Sequence, residues 1–328
     1  MTDLQIYSLT GIIAYFALMI GIGILAGRRQ NAEGFIIGNR QVGILPTAAS
    51  IGTNFRDAAS LWFWISLSYL YGYAPVLLFM TFFAAAAVIG YFGPSLRRRA
   101  AAGNFISVGQ MLRESFGPVS QKFLAVMLVC VSFSFAAAQL FIIGQILGRI
   151  LNVPEHVVIP AISVVVLFYL IAGGYLNVVR TDFIQFFMIA ALLSVPFFLP
   201  VDTGDLTDFG SLGTMGRADT LGLLIMGFIG AFGNVDIYQR IFSARDDRTA
   251  RWGPLLGIVA AVLCTAGIIM IGLALRGVFP DAGGSRDLLF DFFESSAVSP
   301  ALLAMILVSI FAMGMSSLDT HTYLFTSS

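Results

Sequence analysis

Two adjacent ionisable residues, Arg56 and Asp57, stand inside an apolar stretch running from Gly43 to Leu70. A charged side chain at mid-membrane depth costs about 2.5–3.5 kcal/mol on insertion scales, so each of the two needs a partner or water. In an unbroken helix neighbouring residues point apart and cannot face each other. Gly52, Thr53 and Asn54 come just before them. Glycine freedom, and short side chains that compete for main-chain hydrogen bonds, would let the helix unwind here and turn its carbonyl oxygens into ligands. Two readings follow: a broken, cavity-lining helix, or an Arg–Asp pair that clips two helices together.

Two further stretches carry similar chemistry. In "GFIGAFGNVDIYQR", Gly227, Gly230 and Gly233 are followed by Asn234 and Asp236. Small residues at this spacing mark either close helix packing or a second interruption. In "FAMGMSSLDTHTYLF", Ser316 and Ser317 lie three and four residues after Met313, with Asp319, Thr320, His321 and Thr322 beyond. Hydroxyls and stray carbonyls suit a hard monovalent cation without overcharging its site. Serines in membrane helices also bond back to their own turn. His321 reads as a packing or helix-end histidine, or as a proton relay.

These residues sit on elements of a membrane protein. The 328-residue chain is 58% hydrophobic and 11% charged, with a mean hydropathy of +0.89, whereas soluble domains are about half apolar and about a quarter charged. Continuous apolar runs of about 20 residues, without ten-residue alternation, predict an all-α polytopic protein. Nine transmembrane helices are expected, at 7–26, 43–70, 75–95, 120–148, 157–176, 181–199, 220–239, 253–276 and 299–325, in a single domain over 1–328. The possible breaks fall in the second and seventh, five spans apart. Two halves inserted with opposite orientation would place them equivalently, the pattern of a midplane binding site.

One set of connections holds 13 basic residues: Arg28, Arg29, Arg40, Arg97, Arg98, Arg99, Arg113, Lys122, Arg180, Arg240, Arg245, Arg248 and Arg251. The other holds four, Arg149, Arg217, Arg276 and Arg286. The basic side is expected in the cytoplasm, which puts the N-terminus outside and the C-terminus inside, in a bacterial or archaeal inner membrane. The outer side carries Asp202, Asp205, Asp208, Asp219, Asp281, Asp287, Asp291 and Glu294. They read as a solvated face or as an attractor of cations, and 286–295 as a short amphipathic surface helix. No basic stripe with interleaved aromatics points to nucleic acid. Cys130 and Cys264 read as packing thiols without metal spacing, and no signal peptide is apparent. No nucleophile–base constellation or phosphate loop implies an enzyme or a cofactor, and Gly90–Gly93 reads as a packing or bend feature. The chain stops at Ser328 within or just after the ninth span, as a fragment of a longer protein would.

Three stretches together resemble the sodium:solute symporter family, whose members include bacterial proline, pantothenate and sodium/galactose carriers. "GGYLNVVRTDFIQ" (Gly173 to Gln185) is similar to the family's Gly-Gly…Thr-Asp-x-x-Gln signature. "YQRIFSARDDRTAR" (Tyr238 to Arg251) is similar to its Gln-Arg…Ala-Arg loop, and "MSSLD" to its paired hydroxyls in the ninth helix. The resemblance covers the first nine helices and implies a partial five-plus-five inverted-repeat transporter core preceded by one extra helix. It implies a sodium ion held by carbonyls of Gly52, Phe55 and Met313 and by the hydroxyls of Ser316 and Ser317. Asp57 falls on a position important for sodium in the proline carriers, and Asp182 would lie on the cytoplasmic sodium path. Asp182 also reads as an N-cap-like acid beside Arg180. Arg56 departs from the family pattern, and reads as a cation neutralised by Asp57 or as a bidentate anchor for a solute carboxylate.

The expected function is sodium-coupled symport of a small polar or organic solute by alternating access, with the solute near Asp57, Ala59, Trp62, Phe232 and Asn234. The partners are that solute, sodium and the bilayer. The alternatives are proton coupling through Asp57, Asp319 and His321, a transporter-like sensor module of a longer protein, and an assembly subunit.

Overall fold

Main-chain groups in hydrocarbon must be satisfied within their own segment, so long apolar runs settle as helices. A computed structural model describes residues 2–27, 32–192, 216–280 and 299–327. Within them the helices are α1 (Asp3–Gly27), α2 (Ala32–Ile37), α3 (Ile44–Asn54), α4 (Ala58–Tyr71), α5 (Val76–Tyr91), α6 (Gly93–Ala102), α7 (Val108–Phe116), α8 (Pro118–Leu151), α9 (Glu155–Leu192), α10 (Arg217–Gly233), α11 (Val235–Ser243), α12 (Asp247–Val278) and α13 (Pro300–Ser327). Among the described residues the one extended pairing is a parallel bridge between Val42 and Ala244.

By length and composition, six described helical segments can cross a membrane: Asp3–Leu25, Pro118–Leu151, Gly174–Leu192, Arg217–Ser243, Asp247–Val278 and Pro300–Leu324. Val76–Tyr91 with Gly93–Ala102, bent by 50°, makes a seventh. The expected nine are not reached by this measure, for two physical reasons. The second span is split into α3 and α4, 11 and 14 residues long, each too short alone. The expected fifth and sixth run together as α9, interrupted at Gly174, where φ is 55° and ψ −155°. A residue with a Cβ is strained there, and a Cβ would also lie 2.5 Å from the Phe35 ring. The expected surface helix at 286–295, and the acids Asp202, Asp205, Asp208, Asp281, Asp287, Asp291 and Glu294, lie outside the described residues.

Local signals set the remaining boundaries. Pro94 opens α6 immediately after α5, which produces the bend. Pro118 opens α8, and Asn152 closes it in the left-handed conformation. Asp246 caps α12, its carboxylate accepting the Thr249 N–H at 2.7 Å. Glycines let helices close on one another: a Cβ at Gly257 would stand 2.6 Å from the Ala48 carbonyl, and one at Gly227 would stand 2.6 Å from that of Leu78. α3 thereby seats on α12, and α10 on α5. α13 is the most enclosed span, 83% buried along its apolar window, because α1, α8 and α9 all pack on it. Its Ser309, Ser316, Ser317, Asp319 and Thr320 are therefore held in the protein interior.

Candidate functional site

The second span is interrupted at Phe55, Arg56 and Asp57. The Phe55 N–H still donates to the Ile51 carbonyl at 3.2 Å and the Arg56 N–H to that of Thr53 at 2.8 Å. Among the described residues no backbone N–H reaches the carbonyls of Asn54, Phe55 or Arg56 across the break. Asp57 restarts the helix through a capping box: its carboxylate accepts the Ser60 N–H at 2.5 Å, and Ser60 Oγ accepts the Asp57 N–H at 3.0 Å. The Arg56 guanidinium packs against Trp64 and Phe83, 5.9 and 5.5 Å from their ring centres. Its Nε and Nη1 are buried without a hydrogen bond.

The second interruption is a single residue. Asn234 is extended (φ −77°, ψ 96°) between α10 and α11, and its side chain accepts the Asp236 N–H at 3.1 Å. The two breaks are tied together, Asn54 Nδ2 donating to Asp236 at 2.6 Å. Of the three glycines, Gly227 serves close packing, while a Cβ at Gly233 would meet nothing within 4 Å.

From there a buried network crosses four elements. Arg240 of α11 lies 3.5 Å from Asp236 and 3.5 Å from Asp182 of α9. It also donates to Ser50 Oγ and to Thr320 Oγ1, each at 3.0 Å. Asp182 accepts the hydroxyls of both Ser50 on α3 and Ser316 on α13, the latter at 2.6 Å. Arg240, Asp182, Ser50 and Ser316 are all essentially unexposed. One guanidinium thus faces two carboxylates, leaving these three groups at a formal charge of −1. Asp319, also buried, stands three residues beyond Ser316. Ser317, next to Ser316, has a buried Oγ without a hydrogen-bond partner.

Two cavities flank this region. One of about 370 Å³ lies between the breaks, lined by Asn54, Phe55, Asp57, Asn234, Asp236, Ser132 and His321 among others. His321 stacks on Phe135 with ring centres 4.8 Å apart. A larger cavity of about 880 Å³ is lined by Trp62 of α4, Ile142, Ile146 and Arg149 of α8, and Glu155 and His156 at the start of α9.

The family model for the sodium:solute symporter family matches residues 35–328. The chain belongs to that family. Among relatives, this symporter-family chain is 25% identical to the high-affinity proline transporter PutP of Bacillus subtilis, over 94% of its own length and 70% of the relative's. It is 23% identical to sodium/proline symporter 2 of Staphylococcus saprophyticus, covering 97% of this chain and 66% of that protein. It is 25% identical to the high-affinity choline transporter 1 of Drosophila melanogaster, covering 95% and 53%. The chain therefore spans between about half and 70% of the length of these relatives. A solved Na+-coupled sialic acid symporter, in a substrate-bound outward-open state, matches with a TM-score of 0.83 over 98% of this chain and 73% of that one. At 18% identity that likeness is one of fold. The fold is that expected from the two interrupted spans, and the family match together with the apolar helices makes the protein an integral membrane protein.

Within this symporter-family chain the expected site residues divide. Ser316 joins α3 through the shared Asp182 carboxylate, and Met313 and Ser317 are buried on the same helix. Gly52 and Phe55 are buried at and just before the first break. Phe55, Asp57 and Asn234 line the smaller cavity, whereas Trp62 lines the larger one. Ala59 is half-buried on α4. Phe232 is 40% exposed, its ring tilted against Phe228 at 5.1 Å, and it is not among the residues lining either cavity. Arg56 is not among the residues lining either cavity. Asp182 is not a helix cap: its arm of α9 begins at Gly174, and its carboxylate goes to Ser50, Ser316 and Arg240.

Arg240 requires a correction. Counted among the loop cations, it is instead inside α11 and 1% exposed. Asp236, Ser50 and Thr320 were likewise given no part in the site. The available signal was the Asp236–Arg240 spacing of four, which puts a carboxylate and a guanidinium on one helical face.

Proposed function

We propose that the chain forms the core of a sodium-coupled symporter that moves a small polar or organic solute by alternating access. The observation that carries this reading is the Asp182 carboxylate, shared between a hydroxyl of the first broken span and one of α13 and faced by Arg240 of the second broken span. Any change of charge at that oxygen pair alters how the two broken helices are held against α9 and α13. The formal charge of −1 on the buried group favours a monovalent cation there. The sodium ligands we assign are the carbonyls of Gly52, Phe55 and Met313 and the hydroxyls of Ser316 and Ser317. The unpaired Ser317 Oγ and the carbonyl of Phe55, which no backbone N–H reaches, support that set. Asp182 receives the ion on its way out.

The solute occupies the smaller cavity beside Asp57, Ala59 and Asn234, with Trp62 and Phe232 on its approaches. Arg56, packed against Trp64 and Phe83, fixes the shape of the break from behind. The excess of arginine on one side places that side in the cytoplasm of a bacterial-type plasma membrane, with the N-terminus outside. Uptake into proteoliposomes at fixed pH, driven by a sodium gradient across a panel of amino acids, sugars and organic acids, tests the reading. Uptake driven equally by a proton gradient without sodium would replace it with proton coupling.

A further inference from the structure

α8 carries Ser132, Phe135, Gln139, Ile142 and Ile146 at alternating intervals of three and four, so they share one face. Ser132 and Phe135 line the smaller cavity, and Ile142 and Ile146 line the larger. Gln139 occupies the turn between them. It has no exposed surface, and among the described residues neither its Nε2 nor its Oε1 has a hydrogen-bond partner. Other buried amides nearby keep at least one end bonded: Asn54 to Asp236, and Gln185 to the Tyr15 hydroxyl at 2.5 Å. The helices also close tightly at this depth. A Cβ on Gly314 of α13 would stand 2.7 Å from Ile143 of α8 and 3.2 Å from Ala58 of α4.

A desolvated amide with both ends unmade destabilises the protein that holds it, and a leucine of similar size would not. Its position between two cavities gives it a purpose when the partition opens, because an amide presents an acceptor and two donors to whatever passes. The lining below it contains Asp57, Asn234 and Asp236, which favour a solute bearing an N–H donor. The Gln139 oxygen takes such a donor as well, while its NH2 group donates to a carboxylate. Building on the symport reading above, we propose that Gln139 is a solute-contacting residue in the partition between the cavities, reading the paired donor and acceptor of a small zwitterion.

The test uses protein expressed from the complete gene and reconstituted in proteoliposomes. Its probes are L-alanine and L-proline, glycine betaine as a zwitterion without an N–H, and glucose. In Gln139→Leu the concentration for half-maximal amino-acid uptake should rise about tenfold or more, with Gln139→Asn in between. Glycine betaine should be taken up less well than the amino acids by the wild type. The solute-free Leu variant should melt no lower than wild type, and its stabilisation by sodium should persist. An unchanged half-maximal concentration in the Leu variant overturns the assignment while leaving symport standing. A Leu variant that loses both stability and its sodium response makes Gln139 a structural residue, which also overturns it. Wild-type protein that takes up glucose but no zwitterion removes the solute class. Wild-type protein without sodium-driven uptake of any probe removes the symport reading and this one together.

Discussion

Arg240→Met keeps the apolar stem of the side chain and removes the guanidinium. Asp182 then retains its two hydroxyl donors, Ser50 and Ser316, and Asp236 retains Asn54, but both lose the one cation within 3.5 Å. Breaking a buried ion pair from one side costs about 3–5 kcal/mol, because the remaining charge stays desolvated. With an unfolding entropy of about 2.1 cal/mol/K per residue over this chain, that amounts to a drop of roughly 4–7 °C in the melting midpoint. The double variant Arg240→Met/Asp182→Asn leaves one bare carboxylate instead of two and should recover about half of the loss. Sodium should stabilise Arg240→Met more than wild type, since the cation would replace the missing guanidinium. Purified protein in detergent, melted with and without sodium against a choline control, gives all three quantities. The reasoning is refuted if Arg240→Met melts with wild type, or if the double variant melts below the single one.

Ser317→Ala removes a hydroxyl that has no protein partner, so the sodium-free protein should melt unchanged while more sodium is needed for half-maximal uptake. Ser316→Ala also deletes the bond to Asp182, and should lower stability by about 1 kcal/mol as well; equal sodium activation in both variants and wild type would remove the pair from the ion site. Asp57→Ala loses the cap of α4 together with its charge, so uptake should fall severely, with Asp57→Asn retaining the fold but not the coupling; wild-type uptake in either would exclude Asp57 from transport. At the arginine-rich end, the Thr249 N–H holds the exposed Asp246 carboxyl below the usual carboxylate range. Its contribution is present above the unfolded pKa and is lost as pH falls through the lower folded one, so the stability gap between wild type and Asp246→Ala should narrow in acid.

The interruption at residues 55–57 was legible because its signals are local: two charges, a glycine and an asparagine within six residues of an apolar run. The Ser316–Ser317 pair was visible as adjacent hydroxyls on an apolar run and Asp182 through the resemblance of its Thr-Asp pair to the family signature, but the bonds that join Asp182 to Ser316 and Ser50 span more than 130 residues and have no local signal. Arg240 was not legible. A guanidinium at the edge of a span is counted as a loop residue by any hydropathy window, and its burial depends on carboxylates 58 and 4 positions away along the chain, Asp182 and Asp236. Gln139 is one of three glutamines on the 34-residue helix α8, with Gln121 and Gln145, and nothing local separates it from them, because whether its two ends are bonded depends on the packing of α4 and α13. The expected nine spans are not confirmed by length and composition among the described residues: the break at 55–57 leaves two halves below crossing length, and α9 runs on past the expected boundary at 176–181 with its interruption at Gly174.

The small bridge next to Arg40 has a mechanical meaning. Val42 donates to the Ser243 carbonyl at 3.1 Å and accepts from the Arg245 N–H at 3.0 Å, while Arg40 and Arg97 hold the carbonyls of Phe242, Ala244 and Arg245. The lead into α3 and the exit from α11 are thereby stitched into one piece at the arginine-rich face. Neither half-helix can swing outward alone without tearing that seam. In the alternating-access reading proposed above, opening from this face would tilt the pair as a single lever, and the joint that would have to slip is the one between that lever and Asp182.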